Sequence, residues 1–506
     1  MTGSAQSRSV QWIKHWFLGA AVLLFSLLLG CKETEISSAA SIFSDAPPAK
    51  YILVMIGDGQ GANQIQAANR YTGQIPQHQT WPVHWMTTYE AGGSYDPQQA
   101  WADFYYLMAA PTDSASAATA MFTGVKTANG RISVSADGQS RLFAITENAH
   151  RSGRSVGVVT SVYLSHATPG AWMAHNTWRS NGFAIADEGL WGDPNTTGTT
   201  ATDAAYDGGH GPTLPPMDVV IGAGHPAWGG STYVNQVMRD KLAAESGLPG
   251  AFVFVERLAG SPDGGTRLLN AASNSTVTRL AGLFGGTGGN LDFRLADGSG
   301  YDPENPTLAQ MTAAALQVLS RDPDGFILLI EGGAIDWAAH SNDMNRMLGE
   351  VIDFNQAVQT VIDWVEAPDN DSDWNNTLVL VTGDHETGYL TSGPGQFPQQ
   401  PLGEVSPRTL TLERAISGSS LRASWEDIDN DLVIDPGETV YWAWNSRDHT
   451  NSLIPLYAQG AGAELLDGYQ VNDDPVRGAY LDNTRLYAVM ALAISGNYIY
   501  LPLVGK

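Results

Sequence analysis

Residues 51–59 read YILVMIGDG: six apolar side chains, then a glycine, an aspartate and a second glycine. Two later stretches follow the same plan, FILLIEGG at residues 326–333 and TLVLVTGDH at residues 377–385. Short apolar runs that end at glycine or an acidic residue are typical of strands buried on both faces of a parallel sheet. We therefore predict three inner strands, each of which stops at an acidic residue.

The residues that end these runs carry the first chemical signal. They are Asp58, Glu331, Asp384 and His385. Parallel sheets gather their ligand sites at the carboxyl ends of the strands. We therefore expect the four side chains to meet at one edge of one sheet, where such a density of acids suits a metal site.

Strand and helix patterns alternate through the rest of the chain. Residues 155–160 and 218–221 read as further inner strands. The small residues that follow Ser114 and the periodic stretches at 307–319 and 343–365 read as helices. This alternation predicts a three-layer α/β/α sandwich with a largely parallel central sheet.

Two stretches read as surface insertions in this domain. Residues 187–215 are rich in Gly, Thr, Asp and Pro and have no useful period, which is typical of a long loop. Residues 391–445 form a second, partly acidic insertion. We therefore predict one α/β domain over residues 51–506 that contains both insertions.

The composition excludes one broad class of function. The formal net charge is −26, and charged residues make up only 15% of the 506 residues. Nucleic-acid binding depends on clustered Lys and Arg, so we predict no nucleic-acid binding domain. The acidic charge is compatible with a soluble surface and with bound divalent cations, and composition alone does not separate the two.

The N-terminal 30 residues read as an export signal. Basic residues precede an apolar stretch at 16–30, which is short for a membrane span. It ends in LLG directly before Cys31, the only cysteine, and resembles a bacterial lipobox, in which the signal is cleaved before a lipidated cysteine. We predict a lipoprotein signal at 1–30, a tether at 31–50, and an exported protein lipid-anchored at the cell envelope, on its periplasmic or outer surface. An ordinary signal peptide or an uncleaved anchor is the alternative.

A second pair of metal-grade side chains follows the strand at 326. Asp336 and His340 are four residues apart, so a helix would place both on one face. An acid and an imidazole in that relation can bind one zinc ion. Pairs with this spacing are usually surface pairs, but the position just after Glu331 favours a metal site.

Residues 111–115 read PTDSA and carry the other chemical signal. Ser114 would lie at the amino end of a helix, where free N–H groups favour an anion. A serine there is either a helix cap or a nucleophile. No Gly-x-Ser-x-Gly elbow surrounds it, but a metal ion could lower the pKa of its hydroxyl directly.

Together these segments resemble the alkaline phosphatase family, from about residue 51 to the C-terminus. The motifs that carry the resemblance are Gly57-Asp58-Gly59, Thr112-Asp113-Ser114-Ala115 leading into Thr123-Gly124-Val125-Lys126-Thr127, Ala167-Thr168-Pro169, Glu331-Gly332-Gly333-Ala334-Ile335-Asp336, and Asp384-His385. The resemblance implies metal-dependent hydrolysis of small phosphate monoesters through a phosphoserine, which releases inorganic phosphate and an alcohol. It also implies a homodimer, because the family is usually dimeric.

The resemblance further implies two zinc ions and one magnesium ion. The ligands of the first zinc would be Asp336, His340 and His449, and those of the second would be Asp58, Asp384, His385 and Ser114. The magnesium ligands would be Asp58, Thr168 and Glu331. His449 stands in RDHTN at residues 447–451, which resembles a His-Thr motif of the family.

Three further positions follow from the same resemblance. Arg179, in NTWR, stands where the family keeps its phosphate-binding arginine, so Ser114 and Arg179 are the implied catalytic pair. A planar guanidinium can hold two phosphate oxygens, which lysine does less well. His166 and Trp337 fall at two variable positions beside the magnesium, and the pair resembles some marine and cold-adapted members. A histidine at position 166 leaves the identity of the third metal open.

The second insertion contains one more motif, DIDNDLVIDPGE at residues 427–438. Its acids stand at positions one, three, five, nine and twelve, as in a calcium-binding EF-hand loop. They are Asp427, Asp429, Asp431, Asp435 and Glu438. Leu432 replaces the glycine expected at position six, which argues against the tight turn. The alternative is an acidic, solvated loop.

Other functions fit the chain less well. Phosphodiesterases and sulfatases of the same superfamily share much of the metal site, but Ser114 with Arg179 favours monoesters. The Cys/Ser-x-Pro-x-Arg motif of sulfatases is absent from the sequence. A non-catalytic binding lipoprotein would not need a metal-grade residue at every site position.

Overall fold

The computed structural model describes residues 48–192, 215–286, 291, 293–470 and 472–495. The predicted signal at 1–30, Cys31, the tether up to residue 47, and residues 193–214 of the first predicted insertion lie outside the described residues. The domain boundaries therefore stay predictions. Within the described residues, no helix combines the length and apolar character that a membrane span requires.

The strands are short and spread along the whole described chain. In chain order they are β1 (Tyr51–Gly57), β2 (Val83–Thr87), β3 (Ser155–Tyr163), β4 (Val219–Ala223), β5 (Val253–Glu256), β6 (Leu280–Phe284), β7 (Phe326–Gly332), β8 (Thr377–Gly383), β9 (Glu386–Thr387), β10 (Leu390–Thr391), β11 (Glu413–Ala415), β12 (Arg422–Trp425), β13 (Val440–Trp444), β14 (His449–Thr450), β15 (Ile454–Gly460), β16 (Asn472–Asp474) and β17 (Gly478–Asp482).

The helices alternate with these strands. They are α1 (Ala62–Thr72), α2 (Pro97–Ala102), α3 (Ser114–Thr123), α4 (Ile145–Arg151), α5 (Ala167–Met173), α6 (Gly182–Trp191), α7 (Gln236–Glu245), α8 (Gly264–Ser273), α9 (Leu308–Leu319), α10 (Ala334–His340), α11 (Met344–Glu366), α12 (Pro407–Leu410) and α13 (Arg485–Ser495), with short 3-10 turns at Gln77–Thr80, Tyr106–Met108, Pro226–Trp228 and Ala463–Tyr469.

Eleven strands form one sheet in the order β16-β17-β2-β15-β8-β1-β7-β3-β4-β6-β5. All neighbours from β8 to β5 are parallel, whereas β15 is antiparallel to both of its neighbours. The three apolar runs of the sequence lie side by side at its centre as β8, β1 and β7, and every residue of these three strands is buried. The prediction of three inner strands in one sheet is confirmed, and the structure shows in addition that they are neighbours.

Side-chain alternation along β1 divides the interior into two cores. Tyr51, Leu53 and Met55 pack in one core with residues of α1, α9 and α11. Ile52 and Val54 pack on the opposite face with residues of α3, α5 and α13. Successive strand residues point to opposite faces, so a strand buried on both faces needs helices on each side. This arrangement confirms the predicted three-layer α/β/α fold.

The predicted helices begin at identifiable caps. The Asp113 side chain accepts a hydrogen bond from Ser116 N at 2.8 Å, so Asp113 is the cap and Ser114 is the first residue of α3. Thr307 caps α9 in a reciprocal arrangement with Gln310, as a capping box does. Caps of this kind satisfy backbone N–H groups that the first turn leaves free.

The predicted insertion at 391–445 is folded. Its two ends pair with each other, because β10 is antiparallel to β13, and β12 and β11 complete a four-stranded sheet in the order β10-β13-β12-β11. Ala423, Trp425 and Ala443 form a small apolar cluster on this sheet. The chain therefore leaves the main sheet after β8 and returns beside its point of departure, just before β14.

Candidate active site

Three adjacent strands deliver the acidic side chains to one edge of the sheet. Ile56 of β1 is in register with Glu331 of β7, and the ends of β1 and β8 are aligned at Gly57 and Gly383. Asp58 and Asp384 follow these ends directly. The prediction that the strand-end acids meet is confirmed.

Ser114 lies against the first group of candidate ligands. His385 Nε2 is 3.6 Å from Asp58 Oδ1 and 3.2 Å from Asp384 Oδ2. The same nitrogen is 3.3 Å from Ser114 Oγ. All four side chains are buried. The structure thus brings together the four residues implied for the second zinc.

The second group consists of Asp336, His340 and His449. The two Nε2 atoms lie 3.0 Å apart, and they are 3.4 Å (His340) and 3.5 Å (His449) from carboxylate oxygens of Asp336. Each Nδ1 lies near a backbone carbonyl, that of Arg447 at 2.6 Å and that of Thr112 at 2.8 Å. Because Nδ1 must donate to a carbonyl, each ring in its neutral form would present an Nε2 lone pair to one point beside the carboxylate.

A third group contains Asp58, Glu331 and His166, whose potential ligand atoms all lie within 4.8 Å of one another. The Thr160 hydroxyl donates to Glu331 Oε2, whereas Glu331 Oε1 has no hydrogen-bond partner within the described part of the chain. Burial raises the pKa of Glu331, and the buried Thr168 hydroxyl is close enough to offset a small part of that rise. The residues implied for the magnesium therefore come together, with His166 beside them.

A short ribbon joins the first two groups. In the pairing of β14 with β9, His449 lies opposite Thr387. Thr387 Oγ1 donates to Asp336 Oδ1 at 2.6 Å. The His385 and His449 rings are stacked, with centroids 3.7 Å apart and planes 21° apart. His449, the last of the predicted ligands along the chain, is thus held directly against His385 of the first group.

Arg179 is positioned by a residue that the sequence analysis did not single out. Its Nη1 donates to Asp113 Oδ2 at 3.0 Å, and the Arg179 side chain stays 24% exposed. Asp113 Oδ2 also accepts from Gly130 N at 2.9 Å, while Oδ1 caps α3. One carboxylate therefore fixes both the Ser114 helix and the arginine. The only signal for this role in the sequence was its place directly before Ser114.

Trp337 and His166 lie together at the edge of the third group. Their rings meet edge to face, with centroids 5.6 Å apart and an interplanar angle of 78°. His166 Nε2 is 3.3 Å from Arg179 Nη2. Trp337 is only partly buried. The uncharged Trp337 ring thus lies beside His166, which in turn contacts Arg179.

The buried carboxylates of the site repel one another, which disfavours their charged forms. Burial raises the pKa of Asp58, and repulsion from Asp384, Asp336 and Glu331 raises it further. Burial raises the pKa of Glu331 to about 8 and that of Asp384 to about 6. Charged carboxylates are costly inside a protein unless a positive charge faces them. The site therefore has a deficit of positive charge.

The two histidines beside this cluster behave in opposite ways. Burial lowers the pKa of His449, but its contact with Asp336 outweighs this and raises the value to about 9. Burial holds the pKa of His385 well below its ordinary value, and the positive charge of His449 contributes. Asp336 is likewise penalised by burial, yet hydrogen bonds from His340 and His449 hold its pKa well below the ordinary value.

The predicted calcium loop lies within the second insertion. Asp427, Asp429 and Glu438 each bring a carboxylate oxygen within 4.8 Å of the others. Asp431 and Asp435 occupy the turn between them. This cluster belongs to the hairpin of β12 and β13 rather than to the ends of the central strands.

Comparison with known proteins places the chain among phosphatases. A family model described as alkaline phosphatase matches residues 49–477. Alkaline phosphatase 4 of Bacillus subtilis is 27% identical over 485 residues, which cover 90% of this chain and 93% of that protein. Streptomycin-6-phosphate phosphatase of Streptomyces griseus is 28% identical over 95% of this chain and 97% of that protein. The alkaline phosphatase of Escherichia fergusonii is 30% identical over 83% of each chain.

Solved structures match over a similar extent. The alkaline phosphatase from the Antarctic bacterium TAB5 has a TM-score of 0.58 and 21% identity, and the match covers 89% of this chain and 100% of that one. The Thermus thermophilus alkaline phosphatase has a TM-score of 0.60 and 20% identity, with 90% and 93% covered. These likenesses show the shared fold. Because the family model spans most of the sequence and the same motifs converge at one sheet edge, the chain belongs to the alkaline phosphatase family, as its motifs predict.

Proposed function

We propose that this phosphomonoesterase acts through a phosphoserine at Ser114 and requires bound zinc and magnesium ions. The observation that carries the proposal is the convergence of Ser114 Oγ, His385 Nε2 and two buried carboxylates at the ends of the central strands. Membership of the alkaline phosphatase family supports the hydrolysis of phosphate monoesters.

The residues present fit cations. Both oxygens of Asp58, Oδ2 of Asp384 and Oε1 of Glu331 are buried without a hydrogen-bond partner among the described residues. Leaving buried carboxylate oxygens unpaired is expensive, and metal coordination is one of the few ways to satisfy them. The Nε2 atoms of His340 and His449 converge on the same point, and a cation could replace the protons that these rings carry there.

We assign the groups as the family resemblance implies. Asp336, His340 and His449 would hold one zinc. Asp58, Asp384 and His385 would hold the other, with Ser114 beside it, and Asp58, Thr168 and Glu331 the magnesium. His166 Nδ1 is buried and accepts no hydrogen bond from any residue that the structure describes, so the third group offers a nitrogen as well as oxygens. Oxygen ligands favour magnesium and imidazole favours zinc, so His166 decides between the two ions.

The chain's own residues divide the reaction between them. Ser114 Oγ forms the bond to phosphorus while the ester P–O bond breaks and the alcohol leaves. A water molecule then breaks the Ser114–phosphate bond, which releases inorganic phosphate and restores the hydroxyl. Arg179 would bind phosphoryl oxygens with its planar fork, and the amino end of α3, where Ser114 lies, favours an anion. Bound cations would favour the ionised hydroxyl and offset charge on the attacking and leaving oxygens.

Small phosphate monoesters are the proposed substrates. Ser114 with Arg179 favours monoesters over the diesters and sulfate esters of the wider superfamily. The Streptomyces griseus relative, whose name specifies streptomycin 6-phosphate, supports a small-molecule substrate. No nucleic-acid partner is proposed, because the net charge of −26 opposes a phosphate backbone.

A comparison of ester hydrolysis with and without a chelator tests the mechanism. We expect p-nitrophenyl phosphate to be hydrolysed much faster than bis-p-nitrophenyl phosphate, and chelation to abolish turnover. Radiolabelled phosphate should be trapped on the wild type and on Ser273→Ala, an exposed serine at the end of α8, but not on Ser114→Ala. Chelator-resistant turnover, or label that persists in Ser114→Ala, would reject the proposal.

We also propose an exported protein that is lipid-anchored through Cys31 and that forms a homodimer. The apolar run that ends directly before Cys31 supports the anchor, and family analogy supports the dimer. Labelling with a radioactive fatty acid should be lost in Cys31→Ser. Sedimentation equilibrium of the soluble part should give twice the chain mass.

A further inference from the structure

The hairpin of β12 and β13 carries an acidic cluster outside the phosphatase site. It consists of Asp427, Asp429, Asp431, Asp435 and Glu438. Asp427, Asp429 and Glu438 each place a possible ligand oxygen within 4.8 Å of the others. Acidic clusters are common on protein surfaces, so this arrangement becomes informative only together with the state of Asp427.

The Asp427 side chain is fully buried, with an exposed fraction of 0%. Its Oδ2 accepts from Leu432 N at 3.3 Å and from Arg414 Nη1 at 3.4 Å. Its Oδ1 has no hydrogen-bond partner among the described residues. A buried carboxylate oxygen without a partner is costly, and here it belongs to a cluster whose other members are acids. A cation beside Oδ1 would satisfy this oxygen, which Arg414 does not reach.

The backbone of the loop makes the turn that an EF-hand loop needs. Leu432, at the sixth position, has a φ of +64°, the left-handed conformation for which glycine is usual. Its N–H donates to Asp427, and its carbonyl accepts from Ser417 N at 2.7 Å. These two bonds hold a leucine where the sequence argued against a tight turn. The structure makes the turn without glycine.

Glu438 joins the two ends of the loop. The two oxygens of Glu438 accept from Ile428 N at 2.7 Å and from Asp435 N at 3.0 Å, which closes the loop. The loop thus brings three of the five acids at the EF-hand spacing within 4.8 Å of one another, and one of them is the buried Asp427.

We propose that residues 427–438 bind one calcium ion. Every side-chain donor in the cluster is a carboxylate oxygen, which excludes a site built for zinc, whose usual ligands include nitrogen or sulfur. A flexible loop with many oxygens suits calcium, which takes six to eight ligands, better than magnesium, which requires a strict octahedron. Arg414 already offsets part of the charge, so we expect a Kd of about 10⁻⁴–10⁻³ M, as in extracellular modules.

The ion would fix the loop on the small core of the insertion. Ile434, in the middle of the loop, packs against the cluster of Ala423, Trp425 and Ala443. The Arg414 guanidinium lies 5.1 Å from the Trp425 ring centroid and also pairs with Asp427. Calcium binding should therefore change the surroundings of Trp425, which gives an optical signal independent of catalysis.

Calorimetric titration with calcium chloride tests the proposal on the full protein loaded with zinc and kept in excess magnesium. We expect one calcium-binding event in the wild type, a higher melting temperature and a change in tryptophan fluorescence. Asp429→Asn should weaken binding by at least about tenfold, because Asp429 is exposed and its carboxylate forms no hydrogen bond with the residues that the structure describes. Glu438→Gln should show the same loss, whereas Asp369→Asn, an exposed aspartate outside the loop, should match the wild type.

The outcome does not depend on the phosphatase mechanism, because Ser114→Ala should bind calcium as the wild type does. An isotherm that is unchanged in both Asp429→Asn and Glu438→Gln would overturn the loop assignment. The absence of heat and of a melting shift in the wild type at calcium concentrations well above about 10⁻³ M would overturn calcium binding itself.

Discussion

Asp113 and Arg179 show how much of the site depends on single contacts. The carboxylate of Asp113 caps α3 with one oxygen and binds Arg179 with the other. Since the same helix begins with Ser114, the distance between nucleophile and arginine is fixed by one side chain. A change at Asp113 should therefore act on phosphate binding even though Asp113 is not expected to touch the substrate.

Asp113→Asn tests this positioning role. It keeps an oxygen for the cap but removes the charge that faces Arg179, so we expect kcat/KM for a monoester to fall about tenfold and inhibition by phosphate to weaken. In Arg179→Lys, which loses the planar guanidinium, kcat/KM should fall further, by about 100-fold. Steady-state kinetics checks both, with Asp137→Asn, an exposed turn aspartate, as the control. A fall in kcat alone, with unchanged phosphate inhibition, would contradict a role through Arg179.

Trp337 offers a second test at the same scale. Its uncharged ring lies beside His166, next to Arg179. Trp337→Lys would add a positive charge near bound phosphate, so we expect the inhibition constant for phosphate to fall about tenfold, because partly buried charges attract strongly. Turnover should slow if product release limits it. Trp337→Met removes the ring without adding charge and is the matched control. Unchanged or weaker inhibition in Trp337→Lys would refute this role.

Among the elements, the segment after α5 is held by a buried ion cluster. His175 Nδ1 lies 2.9 Å from Glu188 Oε1 of α6, and His175 Nε2 lies 3.5 Å from Glu147 Oε2 of α4. Burial lowers the pKa of His175, but the two carboxylates outweigh it and raise the value to about 9. One protonated imidazole thus joins two helices to the segment that leads to Arg179.

Replacing His175 should make stability depend on pH in a defined direction. In the unfolded chain His175 keeps its ordinary pKa of 6.5, so its charge stabilises the fold fully below pH 6.5 and less as pH rises towards about 9. The free energy of unfolding of the wild type, relative to that of His175→Gln, should change by about 3 kcal/mol over this pH range. Urea unfolding at several pH values measures it. His78→Gln is the control. Burial lowers the pKa of His78 to about 4, so the stability change caused by His78→Gln should not depend on pH above pH 6.5. A stability change that is equally independent of pH for His175→Gln would contradict the prediction.

The elements also show why the sequence predicted some parts of the site and not others. Asp58, Glu331 and Asp384 were predictable, because unbroken apolar runs identify inner strands and parallel strands align their ends. His449 lies on a strand of two residues with no apolar pattern, so only the family resemblance identified it. Asp113 acts through a partner 66 residues away, and local sequence carries no signal for such a contact.

At the scale of the whole molecule, the sheet and its insertion contribute differently. The central strands fix the acids, whereas the insertion separates β10 from β13, which pair with each other, and returns the chain to His449. The alternation of strands and helices was enough to predict the layers. The sheet inside the insertion was not predicted, because its strands are short and its acidic loop masks their pattern.

The stacking of His385 on His449 joins the two proposed zinc sites physically. Their ring centroids are 3.7 Å apart, and each ring belongs to a different ligand group. Neither ring can turn without displacing the other, because close-packed interiors deform in discrete steps. Occupation of one site should therefore pre-organise the other.

Zinc uptake should consequently be cooperative. Metal-free protein titrated with buffered zinc is expected to give a Hill coefficient above one, and His449→Ala should weaken both binding steps. Two independent hyperbolic steps, or an intact second step in His449→Ala, would contradict this coupling. If zinc uptake is cooperative, the face-to-face contact of the two imidazoles means that zinc ions activate the enzyme in pairs. Few half-loaded molecules would then exist between the empty and the active state.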